Sequence, residues 1–169
     1  MKRNLCLLFL ILSCLCVHSQ DGVRRHFWDI DCSVGVVRSK TQTQSLNIDL
    51  GYQPVKAFFF YGMLSAGSLL HYGTTPRTFV PLGDISAGAG LNLVSFDFVP
   101  KKPYTMNLRA DIGTSLGGDW RYTVYGLRLS LSPAGYFGPT LGFGWRRHAS
   151  RDDDMDSQST FYLSAGVRF

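Results

Sequence analysis

The sequence predicts an all-β fold: a closed, antiparallel, up-and-down transmembrane β-barrel of about eight strands, preceded by a cleavable signal peptide. Three observations carry that expectation. Beyond residue 19 no stretch of useful length repeats its apolar residues every 3.6 positions, whereas segment after segment alternates large apolar with small or polar residues. These segments number about eight and run near ten residues or longer, the length a tilted strand needs to cross a bilayer. Charges gather on the small, polar parity, and the large apolar parity bears almost none.

Residues 1–19 divide into a cationic start (Lys2, Arg3), an apolar stretch over residues 5–17 and a small residue, Ser19, the three zones of an export signal. The apolar part falls short of the roughly 20 residues of a spanning helix. Cleavage after Ser19 leaves residues 20–169 as one barrel domain, without an obvious linker or a repeat of 20–50 residues. Cys6, Cys14 and Cys16 depart with the signal, so Cys32 stays alone and no intramolecular disulfide can form; it reads as an apolar strand residue. Loss of Lys2 and Arg3 lowers the net charge from +5 to +3, and the excess is spread along the chain, so nucleic acid is not an expected partner. The chain contains no Glu, which leaves any carboxylate chemistry to Asp.

The first strand is expected over residues 27–39, where Trp28, Ile30, Cys32, Val34 and Val36 alternate with Asp29, Asp31, Ser33 and Gly35. After a polar turn at residues 40–44, Leu46, Ile48, Leu50 and Tyr52 alternate with Asn47, Asp49 and Gly51, and Gln53-Pro54 ends the second strand because Pro cannot donate to a ladder. The third, residues 57–72, opens with Phe58, Phe59, Phe60 and Tyr61, so both its faces are apolar and its parity stays open. In the fourth, Ile85, Ala87, Ala89, Leu91 and Leu93 oppose Asp84, Ser86, Gly88, Gly90 and Asn92; the parity flips near Val94, which predicts a bulge. No helix follows Gly88 and Gly90 to bind an anion, so they are wall residues and not a phosphate cradle.

A turn at residues 100–103 leads to the fifth strand, with Tyr104, Met106, Leu108, Ala110 and Ile112 opposite Thr105, Asn107, Arg109, Asp111 and Gly113. Gly117-Gly118-Asp119 turns the chain into the sixth, where Tyr125, Leu127, Leu129 and Leu131 face away from Gly126, Arg128 and Ser130. Residues 132–135 turn again, the seventh sets Leu141, Phe143 and Trp145 against Gly142, Gly144, Arg146 and His148, and an Asp-rich loop at residues 151–157 precedes the last strand.

A soluble ligand-binding barrel points its large apolar parity inward, and a membrane barrel reverses this. The polar parity here mixes Gly and Ser with Asp29, Asp31, Asp49, Asp84, Arg109, Asp111, Arg128, Arg146 and Arg168. Small residues leave space in a narrow lumen, and opposite charges can pair there, so these nine are the expected lumen charge network. Trp28, Tyr52, Tyr104, Tyr125, Trp145, Phe161 and Phe169 lie near strand ends, as interfacial girdles require. Lipid leaves no water to satisfy an open edge, so the last strand should pair with the first. The alternative, a soluble secreted lipocalin-like carrier, lacks a Gly-x-Trp start and a C-terminal helix.

Residues 161–169 (FYLSAGVRF) alternate and stop on an aromatic. This resembles the C-terminal sorting strand of bacterial outer-membrane barrels, whose terminal Phe is read by the barrel-assembly machinery. In length, strand count and Phe169 the mature chain resembles the small, porin-like OmpA/OmpX-type barrels. That resemblance implies a monomer in the outer membrane of a Gram-negative envelope, in contact with lipid and lipopolysaccharide, without cofactor and without a wide pore, in a structural or surface-interaction role. Both termini and the turns at 53–54, 100–103 and 132–135 would be periplasmic, with residues 40–44, 73–77, 117–120 and 151–157 facing outward.

Two motifs, one near the outer end of the seventh strand and one in the loop after it, carry chemistry of their own. His148-Ala149-Ser150 resembles the His-x-Ser of outer-membrane lipid A 3-O-deacylases, in which a base beside a hydroxyl makes a nucleophile. That family orients its His with a Glu; here only Asp156 could serve, and the strand parity turns His148 and Ser150 into the lumen, so a non-catalytic role is expected. Asp152, Asp154 and Asp156 have the i, i+2, i+4 spacing that opens a calcium loop, but Ser157 stands where the turn Gly belongs and Leu163 where the distal acid belongs.

Overall fold

In the computed structural model each alternation becomes one strand, and consecutive strands pair antiparallel: β1 (His26–Arg38), β2 (Thr41–Val55), β3 (Phe58–His71), β4 (Thr78–Val99), β5 (Lys102–Ser115), β6 (Tyr122–Pro133), β7 (Gly138–Ser150) and β8 (Gln158–Arg168). The structure describes residues 25–38, 41–71, 78–99, 102–118, 120–135, 137–153 and 155–169. The signal segment 1–19, residues 73–77, Asp119 and Asp154 lie outside these. β1 also pairs with β8, from Asp29 opposite Arg168 to Val36 opposite Phe161, and the sheet closes into an eight-stranded up-and-down barrel. Both described chain ends, Arg25 and Phe169, sit at one end, where the backbones of Trp28 and Phe169 exchange hydrogen bonds.

The parity resolves as two opposite surfaces. Leu46, Leu127, Phe143 and Leu163 are exposed on the outer wall, while Asp29, Asn47, Asp49, Asp84, Arg109 and Arg128 are buried inside. A soluble barrel would carry the reverse arrangement. The aromatics fall into two outward groups: Trp28, Tyr52, Tyr104 and Phe169 near the chain ends, and Tyr125, Trp145 and Phe161 near the far end, as their places in the strands dictate.

Several expected boundaries shift, for physical reasons. β2 continues through Pro54 to Val55, because the pairing with β3 is irregular between Tyr52 and Val55 and a missing donor costs nothing there; the turn is at residues 56–57. The polar residues 41–44 are strand and not turn, because ladder pairing to β1 and β3 holds them without an apolar pattern; Thr43, opposite Gly35, is buried and Gln44 is exposed. The turns expected at 100–103 and 132–135 shorten, as β5 begins at Lys102 and β6 runs to Pro133. The bulge in β4 falls between Asn92 and Val94. Gly117 and Gly118 adopt φ of 70° and 87°, the left-handed region that needs glycine at that loop.

The lumen is less uniformly small and polar than expected. β3 turns Phe59, Tyr61 and Met63 inward, where they form with Phe27 an apolar layer near the chain ends. A second layer of Leu69, Leu82, Trp120, Tyr122 and Val124 lies near the far end. In-register glycines make the first layer possible: Gly51 pairs with Phe27 and Gly90 with Phe59, and a Cβ at either would occupy the space of the neighbouring ring. The charged residues lie between these two layers.

Candidate functional site

Two hairpins each carry a like-signed pair in register. Asp29 stands opposite Asp49 in β1–β2, and Arg109 stands opposite Arg128 in β5–β6. Like charges directly opposite on a sheet repel, so each hairpin alone is penalised. Barrel closure turns the two pairs toward each other. Arg109 donates from Nη2 to Asp29 Oδ2 at 2.6 Å and from Nη1 to Asp49 Oδ2 at 2.8 Å. Arg128 donates from Nη1 to Asp31 Oδ2 at 2.7 Å and from Nη2 to Asp49 Oδ2. Across the β1–β8 seam Arg168 grips Asp29 with Nε at 2.7 Å and Nη2 at 2.6 Å, a bidentate pair.

Neutral groups complete this tier. Asn47 Nδ2 donates to Asp31 Oδ1 at 2.9 Å, and Asn107 Oδ1 accepts from Arg109 Nε at 2.9 Å and Ser130 Oγ at 2.6 Å. The Arg109 guanidinium lies 5.3–5.7 Å from the rings of Phe27, Phe59 and Tyr61, and that of Arg168 lies 4.1 Å over Phe27. Burial of these charges is compensated by ion pairing, hydrogen bonding and the negative faces of the rings.

A looser tier lies toward the far end. Arg146 approaches Asp84 at 3.7 Å and Asp111 at 3.9 Å, while its Nη1 donates to Ser65 Oγ at 3.2 Å. Tyr61 OH donates to Asp111 Oδ1 at 3.0 Å, and Tyr122 OH donates to Gly83 O at 3.1 Å. Gly126 lies between Asp111 and Arg146 in register, and a side chain there would displace the Asp111 carboxylate. Beyond this tier is a cavity of about 20 Å³, bordered by Ser33, Thr43, Asp84, Arg146, His148 and Thr160, with space for about one water-sized molecule. Such a lumen is filled by its own side chains and fits a wall element better than a wide pore.

The nine charges of the sequence-expected network thus line one interior, in two tiers. The residues that reasoning missed are Asn47, Asn107, Tyr61, Phe27 and Phe59. The asparagines share parity with the charges, which was a usable signal; the inward rings could have been found only from glycines opposite them, which requires the register.

The other candidates do not assemble. His148 is buried and its Nδ1 has no hydrogen-bond partner. Ser150 Oγ instead accepts from Trp120 Nε1 at 2.9 Å and donates to Asp152 O at 3.0 Å, and Asp156 is exposed. His148, Ser150 and Asp156 therefore do not form a nucleophile, base and orienting acid. Of the calcium-loop candidates, Asp154 lies outside the described residues, and Asp152 accepts from the Arg121 backbone N–H at 2.5 Å and from Arg121 Nε at 3.1 Å. Among the described residues no three His, Cys or Asp side chains converge as metal ligands.

Asp152 ties loop 151–157 to Arg121. The Arg121 backbone N–H, with its guanidinium, holds the Asp152 carboxyl below the usual carboxylate range. A depressed value means the clasp is intact above the ordinary carboxylate range and is lost as pH falls through the lower folded value. An NMR titration of the Arg121 amide should show a midpoint below about 3.9, the unperturbed Asp value; a midpoint at or above it would refute the clasp.

Neither a protein-family model nor a curated protein matches the chain. Among solved structures, the crystal structure of Neisserial surface protein A is similar, with a TM-score of 0.50 and 18% identity over 88% of this chain and 98% of that one. At that identity the likeness carries the fold: this chain is an eight-stranded antiparallel barrel of the architecture seen in that surface protein.

Proposed function

We propose that this chain is a small outer-membrane β-barrel that crosses the lipid with its eight strands and serves a structural or surface-interaction role, without catalysis. The observation that carries this reading is the outer wall, where large apolar side chains are exposed on every strand from Trp28 to Leu163 while the charged residues pair inside. Water would penalise such a surface, and bilayer hydrocarbon does not. The likeness to the barrel of a bacterial surface protein supports the same location. Residues 1–19 act as the export signal in this reading, and Phe169 marks β8 for the barrel-assembly machinery, as in OmpA/OmpX-type barrels. The chain works as a monomer among lipid and lipopolysaccharide.

Membrane fractionation followed by a gel-shift test of heat modifiability checks the proposal. The chain should sediment with outer membranes and migrate differently before and after boiling. Recovery in the soluble fraction with no shift would leave the lipocalin-like carrier standing and refute the barrel's membrane role. Lipid A from cells with and without the protein should carry the same acyl chains; a missing 3-O-acyl chain would reinstate the deacylase.

A further inference from the structure

The lumen absorbs Arg109, Arg128, Arg146 and Arg168, but Arg147 has the opposite parity and is exposed on the outer wall. Its cross-strand neighbours are Tyr125 on β6 and Ser159 on β8. One step further from the far rim, the outward row is Leu127, Trp145 and Phe161. Its backbone belongs to the β6–β7–β8 ladder, but among the described residues the Arg147 side chain makes no ion pair or hydrogen bond. Two neighbouring arginines at this rim are engaged: Arg121 with Asp152 at 3.1 Å, and Arg151 with Thr114 Oγ1 at 2.7 Å and the Tyr122 carbonyl at 3.2 Å. Asp153 and Asp156 are exposed in the loop that follows, and neither pairs with Arg147.

A cation on a lipid-facing wall is costly at the bilayer midplane and is tolerated near the headgroups, so the place of Arg147 beside Tyr125, one outward row nearer the far rim than Leu127 and Trp145, marks the approach to the interfacial level. At that level a guanidinium on a flexible stem can rise toward the polar layer and hold a phosphate with two parallel N–H donors. The Tyr125 and Ser159 hydroxyls flank it in register as further donors.

We propose that Arg147, flanked by Tyr125 and Ser159 above the Trp145–Phe161 row, is the anchor of a binding site for a phosphate of a phosphorylated lipid headgroup in the leaflet at the far end of the barrel. This rests on the membrane-barrel reading above and names the lipid chemistry that one stretch of wall selects.

The test uses the full mature chain in phosphatidylcholine nanodiscs doped with lipid A, with bound lipid counted by native mass spectrometry. Wild type should retain lipid A in preference to phosphatidylcholine. Arg147→Gln should lower that retention about tenfold, the loss expected for one charge-assisted contact, and Arg147→Lys should fall between. Enzymatically dephosphorylated lipid A should bind wild type as weakly as intact lipid A binds the Gln variant, and excess inorganic phosphate should leave retention unchanged. Equal retention by wild type and Arg147→Gln, or of phosphorylated and dephosphorylated lipid by wild type, would overturn the proposal. So would displacement by inorganic phosphate, which would make the site one for the free anion. A heat-modifiable band for each variant reports the membrane barrel separately, so failure of the site and failure of the barrel are distinguishable.

Discussion

Arg109→Ala should destabilise the folded barrel by about 3–5 kcal/mol, the cost of removing one partner from a buried ion pair. Arg109 is 1% exposed and bridges the in-register pair Asp29 and Asp49, so its removal leaves two adjacent buried carboxylates with one fewer cation between them. The space it vacates beside Phe27, Phe59 and Tyr61 adds a cavity term of the same sign. Urea unfolding from lipid vesicles, followed by tryptophan fluorescence, measures the loss. A companion variant separates charge from volume. Arg109→Met combined with Asp49→Asn removes one charge of each sign while keeping bulk and an acceptor for Arg128, and should recover most of the stability. If Arg109→Ala unfolds at the wild-type urea concentration, the cross-lumen pairing does not hold the barrel.

On the next strand, Leu127→Arg should cost about 2–4 kcal/mol, the price of a cation near the bilayer midplane. Leu127 is 47% exposed on the outer wall, beside Ala110 on one side and Trp145 on the other, far from any carboxylate that the lumen offers. Its chain neighbour Arg128 already carries the same charge, held by Asp31 and Asp49. In the membrane barrel proposed above, adjacent residues therefore show opposite tolerance for one side chain, because one faces paired charges and the other faces hydrocarbon. Leu127→Phe, which keeps the wall apolar, should remain within about 1 kcal/mol of wild type. Wild-type stability of Leu127→Arg in the vesicle assay would mean that the two faces have been exchanged.

Most of the architecture was legible because alternation is a local property. A strand such as β6, with Leu127, Leu129 and Leu131 set against Gly126, Arg128 and Ser130, declares its two faces without any knowledge of its partners. β3 did not, because Phe58, Phe59, Phe60 and Tyr61 are apolar on both parities; the choice was made by Gly88 and Gly90 on the neighbouring strand, which leave room for the Tyr61 and Phe59 rings. Residues 40–44 looked like a turn because 41–44, a strand end held by backbone pairing on both sides, are polar on both parities and show no alternation to read. The charged residues were visible as a group on one parity, but their partners were not. Arg128 meets Asp31 across 97 residues of sequence, and that pairing depends on how far the strands are staggered around the barrel. Spacing along the chain also overstated His148 and Ser150, since the Ser150 hydroxyl is claimed by Trp120 and the backbone of Asp152 and not by His148.

The clasp between Arg168 and Asp29 also sets an order of events. Each hairpin can zip as soon as its two strands exist, yet the first and third of them, counted from the start of the barrel, zip against their own electrostatic repulsion. Relief comes when these two hairpins face each other across the lumen, and Arg168 of β8 adds the contact that shuts the ring, closing a loop of 139 residues. Assembly is thus biased toward all or nothing: a partly built sheet is both open at its edges and self-repelling, and therefore easy to undo. In the exported membrane barrel proposed above, such reluctance keeps the chain unlocked until its last strand is in place.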